Sequence, residues 1–272
     1  MTQSPAFNPS GVVTLTTDFG SRDPFVGVMK GQLILRYPDV RIVDLTHEIL
    51  AHWPAEAGFW LARSFRYFPT GSVHVAVVDP GVGSARGILI VAAHEHVFLA
   101  PDNGLLADVI DAASSPQVRR LAPEAFGRLK LSTPSATFHG RDVFAPIAAE
   151  LAAGRITPGD LGPRVEEWIP GWLDAPLVAG DQVSGQVVTI DHFGNLITNI
   201  ESRLLPQAPH SVVLVGGQSI VLRRTYADVR PGDYLALVNS FGVVEIARAE
   251  RSAAEGLGIA RGAPVTVSAR HS

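Results

Sequence analysis

Two hydrophobic rhythms alternate over the first half of the chain. VVTLTT (Val12 to Thr17) is β-branched and reads as a buried strand. From Phe25 to Arg36 the apolar residues Phe25, Val28, Met29, Leu33 and Ile34 fall at helical spacing, and Pro38 follows the predicted helix end. RIVDLT (Arg41 to Thr46) predicts a second strand. Trp53 to Tyr67 predicts a second helix, with Pro54 suited to its first turn. VHVAVVD (Val73 to Asp79) and GILIVAA (Gly87 to Ala93) predict strands flanking a glycine-rich loop. Asn103-Gly104 opens a helix through Ile110, and Arg141 to Leu151 predicts another. This β-α-β-α order implies an α/β layer architecture with a mainly parallel sheet.

After about Ile156 the rhythm changes. Thr157 to Gly185 holds prolines, glycines and two tryptophans with little periodicity, and reads as a linker packed on the surface. From Gln186 onward short strands dominate: VVTI, LITNI, SVVLV, SIVLR, YLALV, VVEIA and PVTVSA, separated by turns such as Gly216-Gly217 and Pro231-Gly232. They predict a small antiparallel β-barrel. The expected organisation is an N-terminal α/β domain over 1–170, a linker over 171–185 and a C-terminal β-barrel over 186–272.

Composition narrows the function classes. With 272 residues, 46% of them apolar, the chain can bury the cores of two domains. Only 18% are charged, the formal net charge is -4, and no Lys/Arg cluster occurs, so a nucleic-acid partner is not expected. The absence of cysteine excludes disulfides, thiolate metal sites and cysteine nucleophiles. MTQSPAFNPS lacks the charged and apolar regions of a signal peptide. No apolar run approaches the roughly 20 residues needed to span a bilayer. A soluble cytoplasmic protein without a membrane partner is the expectation.

Ligands of open α/β sheets bind beyond the carboxyl ends of strands, so polar residues there are the first candidates. Asp18, in TTDFGS, either grips vicinal hydroxyls or caps a turn. Asp79 and Arg86 bracket the turn DPGVGSAR; they either pair structurally or orient a water beside a cleft. The loop lacks the GxxxxGK[ST] order of triphosphate binders. His139, in TFHGRD, sits between the aromatic Phe138 and the accommodating Gly140. In TIDHFGNLITN, Asp191 suits a cation such as an amino group, with Phe193 and Asn195 beside it, unless this is an ordinary hairpin turn. Asn239-Ser240-Phe241-Gly242 is a similar polar hairpin. His94 and His96 form a weak metal pattern in AAHEHVF, better explained by a turn between two strands, and no metal or cofactor is expected.

TTDFG, VDPGVGSAR, PDNGLL, TFHGRD, IDHFGNLITN and NSFG, in this order, resemble the S-adenosyl-L-methionine hydrolases, also called SAM hydroxide adenosyltransferases. These are similar to the fluorinases and chlorinases. The resemblance covers nearly the whole chain. It implies the α/β-plus-barrel architecture, water as nucleophile, no cofactor, and a homotrimer with sites between subunits. It also implies roles by position: Asp18 on the ribose hydroxyls; Asp79, Arg86 and His139 as the water-activating set; Phe138 as an aromatic wall. Asp191 would bind the methionine amino group, Phe193 and Asn195 adenosine, and Ser240 the methionine end. Tyr226 and Arg248 would be further substrate contacts, and Phe241 stands where the fluorinase has arginine. The fluorinase has tyrosine at the Asp79 position and serine at the Gly140 position, so hydrolysis is favoured over halogenation here. A binding protein without catalysis would show a broken water set, whereas this one is complete.

Overall fold

The computed structural model describes residues 7–206 and 211–269, so part of the N-terminal stretch read for a signal peptide, Met1 to Ala6, and the end of the barrel range lie outside the described residues. The chain divides into two compact units, Met1–Trp172 and Leu173–Ser272. Among the described residues no helix is long and apolar enough to cross a membrane.

The first unit is layered around a six-stranded sheet. Its strands are β1 (Val12–Thr17), β2 (Arg41–Thr46), β3 (Val73–Val77), β4 (Ile88–Ala93), β5 (His96–Pro101) and β6 (Gln117–Arg120), in the order β2-β1-β3-β5-β4-β6. The pairs β1–β2, β1–β3 and β3–β5 are parallel, and β4–β5 and β4–β6 are antiparallel. The helices are α1 (Phe25–Arg36), α2 (Pro54–Ser64), α3 (Ala107–Asp111), α4 (Glu124–Arg128) and α5 (Ala145–Ala152). Side chains alternate across each strand. Val13, Leu15, Val73 and Val75 meet Met29 and Leu33 of α1 and Ile147 and Leu151 of α5. On the other face Ala76, Phe98 and Val91 meet Leu61 of α2 and Val109 of α3.

The first three predicted elements match residue for residue. The helix through Arg141 instead starts as a π-helical turn, Gly140–Phe144, before α5. Helix α1 buries Val26, Met29 and Leu33, whereas Phe25, Val28 and Ile34 of its expected apolar face are exposed. His94 and Glu95 form the tight turn between β4 and β5, both with left-handed backbone (φ 53 and 64). Strand β6 carries no strand signal in the sequence, because QVRR is too polar to register as one.

The second unit is antiparallel. After β7 (Leu177–Ala179) come β8 (Gln182–Ile190), β9 (Leu196–Glu201), β10 (Ser211–Val215), β11 (Gln218–Val221), β12 (Tyr234–Val238), β13 (Val243–Arg248), the short helix α6 (Ala253–Leu257) and β14 (Pro264–Ala269). The sheet order β11-β10-β14-β8-β9-β13-β12 nearly closes on itself, because Leu222 bridges Ala236 and Arg223 N–H donates to the Ala236 carbonyl at 2.7 Å. Val187, Leu196, Val213, Val244, Ile246 and Val267 fill the barrel. Strand β7 and the start of β8 occupy the stretch read as linker, pairing antiparallel through Leu177 with Ser184, Val178 with Val183 and Ala179 with Gln182.

Candidate active site

Because β1, β3 and β5 run parallel, the residues after them emerge at one edge of the sheet. Asp18 follows β1, Asp79 follows β3 by one residue, and the segment holding His139 leads into the π-helical turn.

Asp79 and Arg86 form a bidentate pair. Arg86 Nε donates to Asp79 Oδ1 at 3.0 Å and Oδ2 at 2.9 Å, and Nη2 also donates to Oδ2. Their side chains are only 4% and 11% exposed, so solvent screens the pair weakly. Arg86 Nη2 also lies 2.8 Å from His139 Nδ1. A guanidinium has donors only, so Nδ1 must accept, and the neutral ring carries its proton on Nε2. Burial holds the His139 pKa below the ordinary histidine value, and the Arg86 charge lowers it further, against Asp79 and Asp142. The ring is therefore neutral at neutral pH, with Nε2–H available to a ligand or water.

Local packing brings these groups together. Gly83 has φ +79, and a Cβ there would lie 2.2 Å from the Ala136 carbonyl oxygen. Only glycine lets the DPGVGSAR loop rest against the backbone that leads to His139. Asp142 secures the same segment by accepting the Ser135 N–H at 2.8 Å, and its pairing with Arg141 lowers its carboxyl to about 2. Phe19, Phe25 and Phe138 stack edge to face, with centroids 6.0, 5.9 and 5.4 Å apart. Asp18, Asp79, Phe138 and His139 line one cavity of about 270 Å³. Asp18 also accepts the His52 N–H at 2.9 Å, so it anchors a turn while facing the cavity.

The barrel holds the remaining candidates. Phe193, Asn195, Tyr226 and Arg248 line a cavity of about 750 Å³. Arg248 donates to the Gly232 carbonyl and stacks over Tyr234. Asp191 Oδ1 accepts the N–H groups of Phe193 at 2.9 Å and Asn195 at 2.8 Å, and Oδ2 accepts the Asn195 amide at 2.9 Å. The hairpin turn is thus real, and it presents a carboxylate. Ser240 and Phe241 sit in the turn between β12 and β13 and do not line this cavity.

One residue missing from the sequence reading ties these loops together. Glu245 is buried in β13 and accepts the Tyr226 hydroxyl and the Asn239 amide. Burial raises its pKa, and the Asp191 charge adds to the rise. The one charge inside the otherwise apolar run VVEIA was the available signal. Among the described residues no group of three or more histidines and carboxylates is placed to hold a metal ion.

Family models describe both parts of the chain: the SAM hydroxide adenosyltransferase N-terminal domain over residues 13–162 and its C-terminal domain over 185–266. The chain belongs to this family. An (R)-S-adenosyl-L-methionine hydrolase from Salinispora tropica is 40% identical over 96% of this chain and 99% of that protein. One of the same name from Thermus thermophilus is 39% identical over 93% of this chain and 98% of that protein. A fluorinase from an Actinoplanes species is 27% identical, over 96% of this chain and 98% of that protein. The solved structure of an uncharacterized conserved protein from Thermotoga maritima superposes with a TM-score of 0.86 at 31% identity, covering 95% of this chain and all of that one.

Proposed function

We propose that the chain hydrolyses S-adenosyl-L-methionine to adenosine and L-methionine by attack of water on the ribose 5′ carbon, using Asp79, Arg86 and His139. The observation that carries this mechanism is the guanidinium of Arg86 joining Asp79 to His139 at the wall of a cavity that Asp18 shares. The new bond forms between the water oxygen and the 5′ carbon. The bond from that carbon to sulfur breaks, and its electron pair neutralises the sulfonium. The water proton passes to Asp79, whose Oδ1 carries a single bond from Arg86. His139 acts as a donor that fixes the water, since its Nδ1 lone pair is committed to Arg86. A buried carboxylate at Asp79 repels halide, which disfavours fluorinase-like chemistry.

In this reading Asp18 holds the ribose hydroxyls and Phe138 walls the reacting carbon. Asp191 takes the amino group, Phe193 and Asn195 contact adenosine, Ser240 contacts the methionine end, and Tyr226 and Arg248 complete the rim. Phe241 supplies no charge for the methionine carboxylate. Incubating pure protein with S-adenosyl-L-methionine in isotope-labelled water is expected to yield methionine without label and adenosine with label in its 5′ hydroxyl. The rate should be insensitive to chelators. A 5′-halo-adenosine product in chloride or fluoride would overturn the reading.

A homotrimer with each site shared between the first unit of one subunit and the barrel of the next is part of the same proposal. Supporting an interface, Val28, Ile34 and Leu35 of α1 and Val43 of the edge strand β2 expose apolar surface. Mixing inactive Asp18→Ala and Asp191→Ala proteins is then expected to restore activity through hybrid sites once subunits exchange. No recovery despite demonstrated exchange would place the whole site within one subunit.

A further inference from the structure

The turn Pro101-Asp102-Asn103-Gly104 takes no part in the chemistry above, yet it touches both ends of the loop that does. Strand β5 lies between β3 and β4, so the loop from Asp79 to Arg86 must pass over the carboxyl end of β5, where this turn sits. Strand β3 ends at Val77, which leaves the Val78 carbonyl beyond the ladder. Asn103 Nδ2 donates to that carbonyl at 2.8 Å, directly before Asp79. The Asp102 N–H donates to the Gly87 carbonyl at 3.0 Å, directly after Arg86.

The turn is itself held from the far side. Asp102 is buried; its Oδ2 accepts from Arg120 at 2.8 Å and its Oδ1 accepts the Ile169 N–H at 2.9 Å. The Trp172 indole N–H donates to the Asn103 carbonyl at 2.6 Å. Gly104 has φ +88, and a Cβ there would lie 2.4 Å from the Pro170 carbonyl oxygen, so no side chain fits. The loop's own bonds, Val82 N–H to the Asp79 carbonyl at 3.2 Å and Ser84 N–H to the Gly81 carbonyl at 3.1 Å, close local turns and tie neither end to the sheet. The turn supplies the two fixed points.

We infer that Asn103 is a positioning residue for the Asp79–Arg86 pair, setting through the Val78 peptide where the pair meets His139. This rests on the assignment of Asp79 and Arg86 to the reaction. Asn103→Ala is the test. It is expected to lower kcat by about 10²-fold with KM changed by less than about threefold, the loss typical of a misplaced reacting group. On an Asp79→Asn background the same substitution should cost less than about threefold, because it acts through Asp79. Amides from Asp79 to Gly87 should exchange hydrogen about tenfold faster or more, with β1 and β3 unchanged. Should Asn103→Ala not fold, Asn103→Asp keeps the oxygen that accepts the Leu105 N–H and lacks the donor for Val78, and carries the same expectations. Equal kcat losses in both backgrounds would mean a general structural role and overturn the inference. So would unchanged exchange in the loop, whatever the activity. A wild-type protein that leaves S-adenosyl-L-methionine intact would sink the proposed function instead, and loop exchange would then decide this inference alone.

Discussion

Asp79→Asn is expected to lower kcat by about 10²- to 10⁴-fold, the range typical of a lost general base, with S-adenosyl-L-methionine affinity changed by less than about threefold. The substitution keeps the size of the side chain and removes its charge. It also sets an amide N–H₂ against the Arg86 guanidinium, which can only donate. Arg86 keeps its bond to His139, so the histidine stays placed while the proton acceptor is gone. Because the pair is nearly buried, some thermal stability is lost as well. Melting temperature, calorimetric affinity and kcat on one preparation separate the two effects. A stable, substrate-binding, fully active Asp79→Asn protein would sink the catalytic assignment. Asp191→Asn makes the contrast: its oxygen still accepts the turn N–H groups, but the charge for an ammonium is gone. KM should rise by the factor corresponding to roughly 1.5–3 kcal/mol, with kcat little changed.

The elements most legible in the sequence are those whose pattern and punctuation agree. Val12–Thr17, Phe25–Arg36 and Arg41–Thr46 each have one clear period and a polar or proline boundary. Strand β6 is half-exposed QVRR, and β7 is three exposed residues, so neither has a burial pattern to read. The buried face of α1 is illegible for a different reason. Its apolar residues spread over two sides, and spacing alone cannot separate the stripe that meets α5 from the one left at the surface. At the site, Asp79 and Arg86 were legible because they bracket one short turn. The contact to His139 crosses 53 residues and depends on Gly83 packing against Ala136, which only the fold discloses. The roles of Asn103 and Glu245 are not legible in the sequence, because Asn103 bonds a backbone carbonyl 25 residues away and Glu245 joins Tyr226, 19 residues away, to Asn239 across the β12–β13 hairpin.

Lowering the pH from 7.5 to 5 is expected to destabilise the first unit by about 4 kcal/mol through two buried histidines, roughly 2 kcal/mol from each. His74 of β3 and His96 of β5 lie on the sheet face that carries Phe98, and the Phe65 ring beyond the end of α2 packs against both. His74 Nδ1 meets the Thr14 hydroxyl at 2.8 Å, and its Nε2 meets His96 Nδ1 at 3.0 Å. Both rings are almost fully buried, and a charge on His94 opposes a proton on His96. Burial lowers His74 to about 3 and His96 to about 4, from an ordinary 6.5. The unfolded chain therefore binds these protons first, at 6.5, and the stability of the neutral pair is fully present only above that value. It falls by about 1.4 kcal/mol per pH unit for each ring until the folded midpoints are reached. His139, lowered for its own reasons, adds in the same direction. The depressed carboxyl of Asp142 acts in a separate window, since its contribution is intact above 3.8 and is lost only towards 2. All four tryptophans, Trp53, Trp60, Trp168 and Trp172, lie in the first unit, so denaturant unfolding followed by their fluorescence reports on this unit. Replacing His74 and His96 together by leucine should remove most of the slope between pH 6.5 and 4.5, whatever it does to stability at pH 7.5, and each single replacement should remove about half. An unchanged slope in the double variant would assign the acid loss to groups outside this pair.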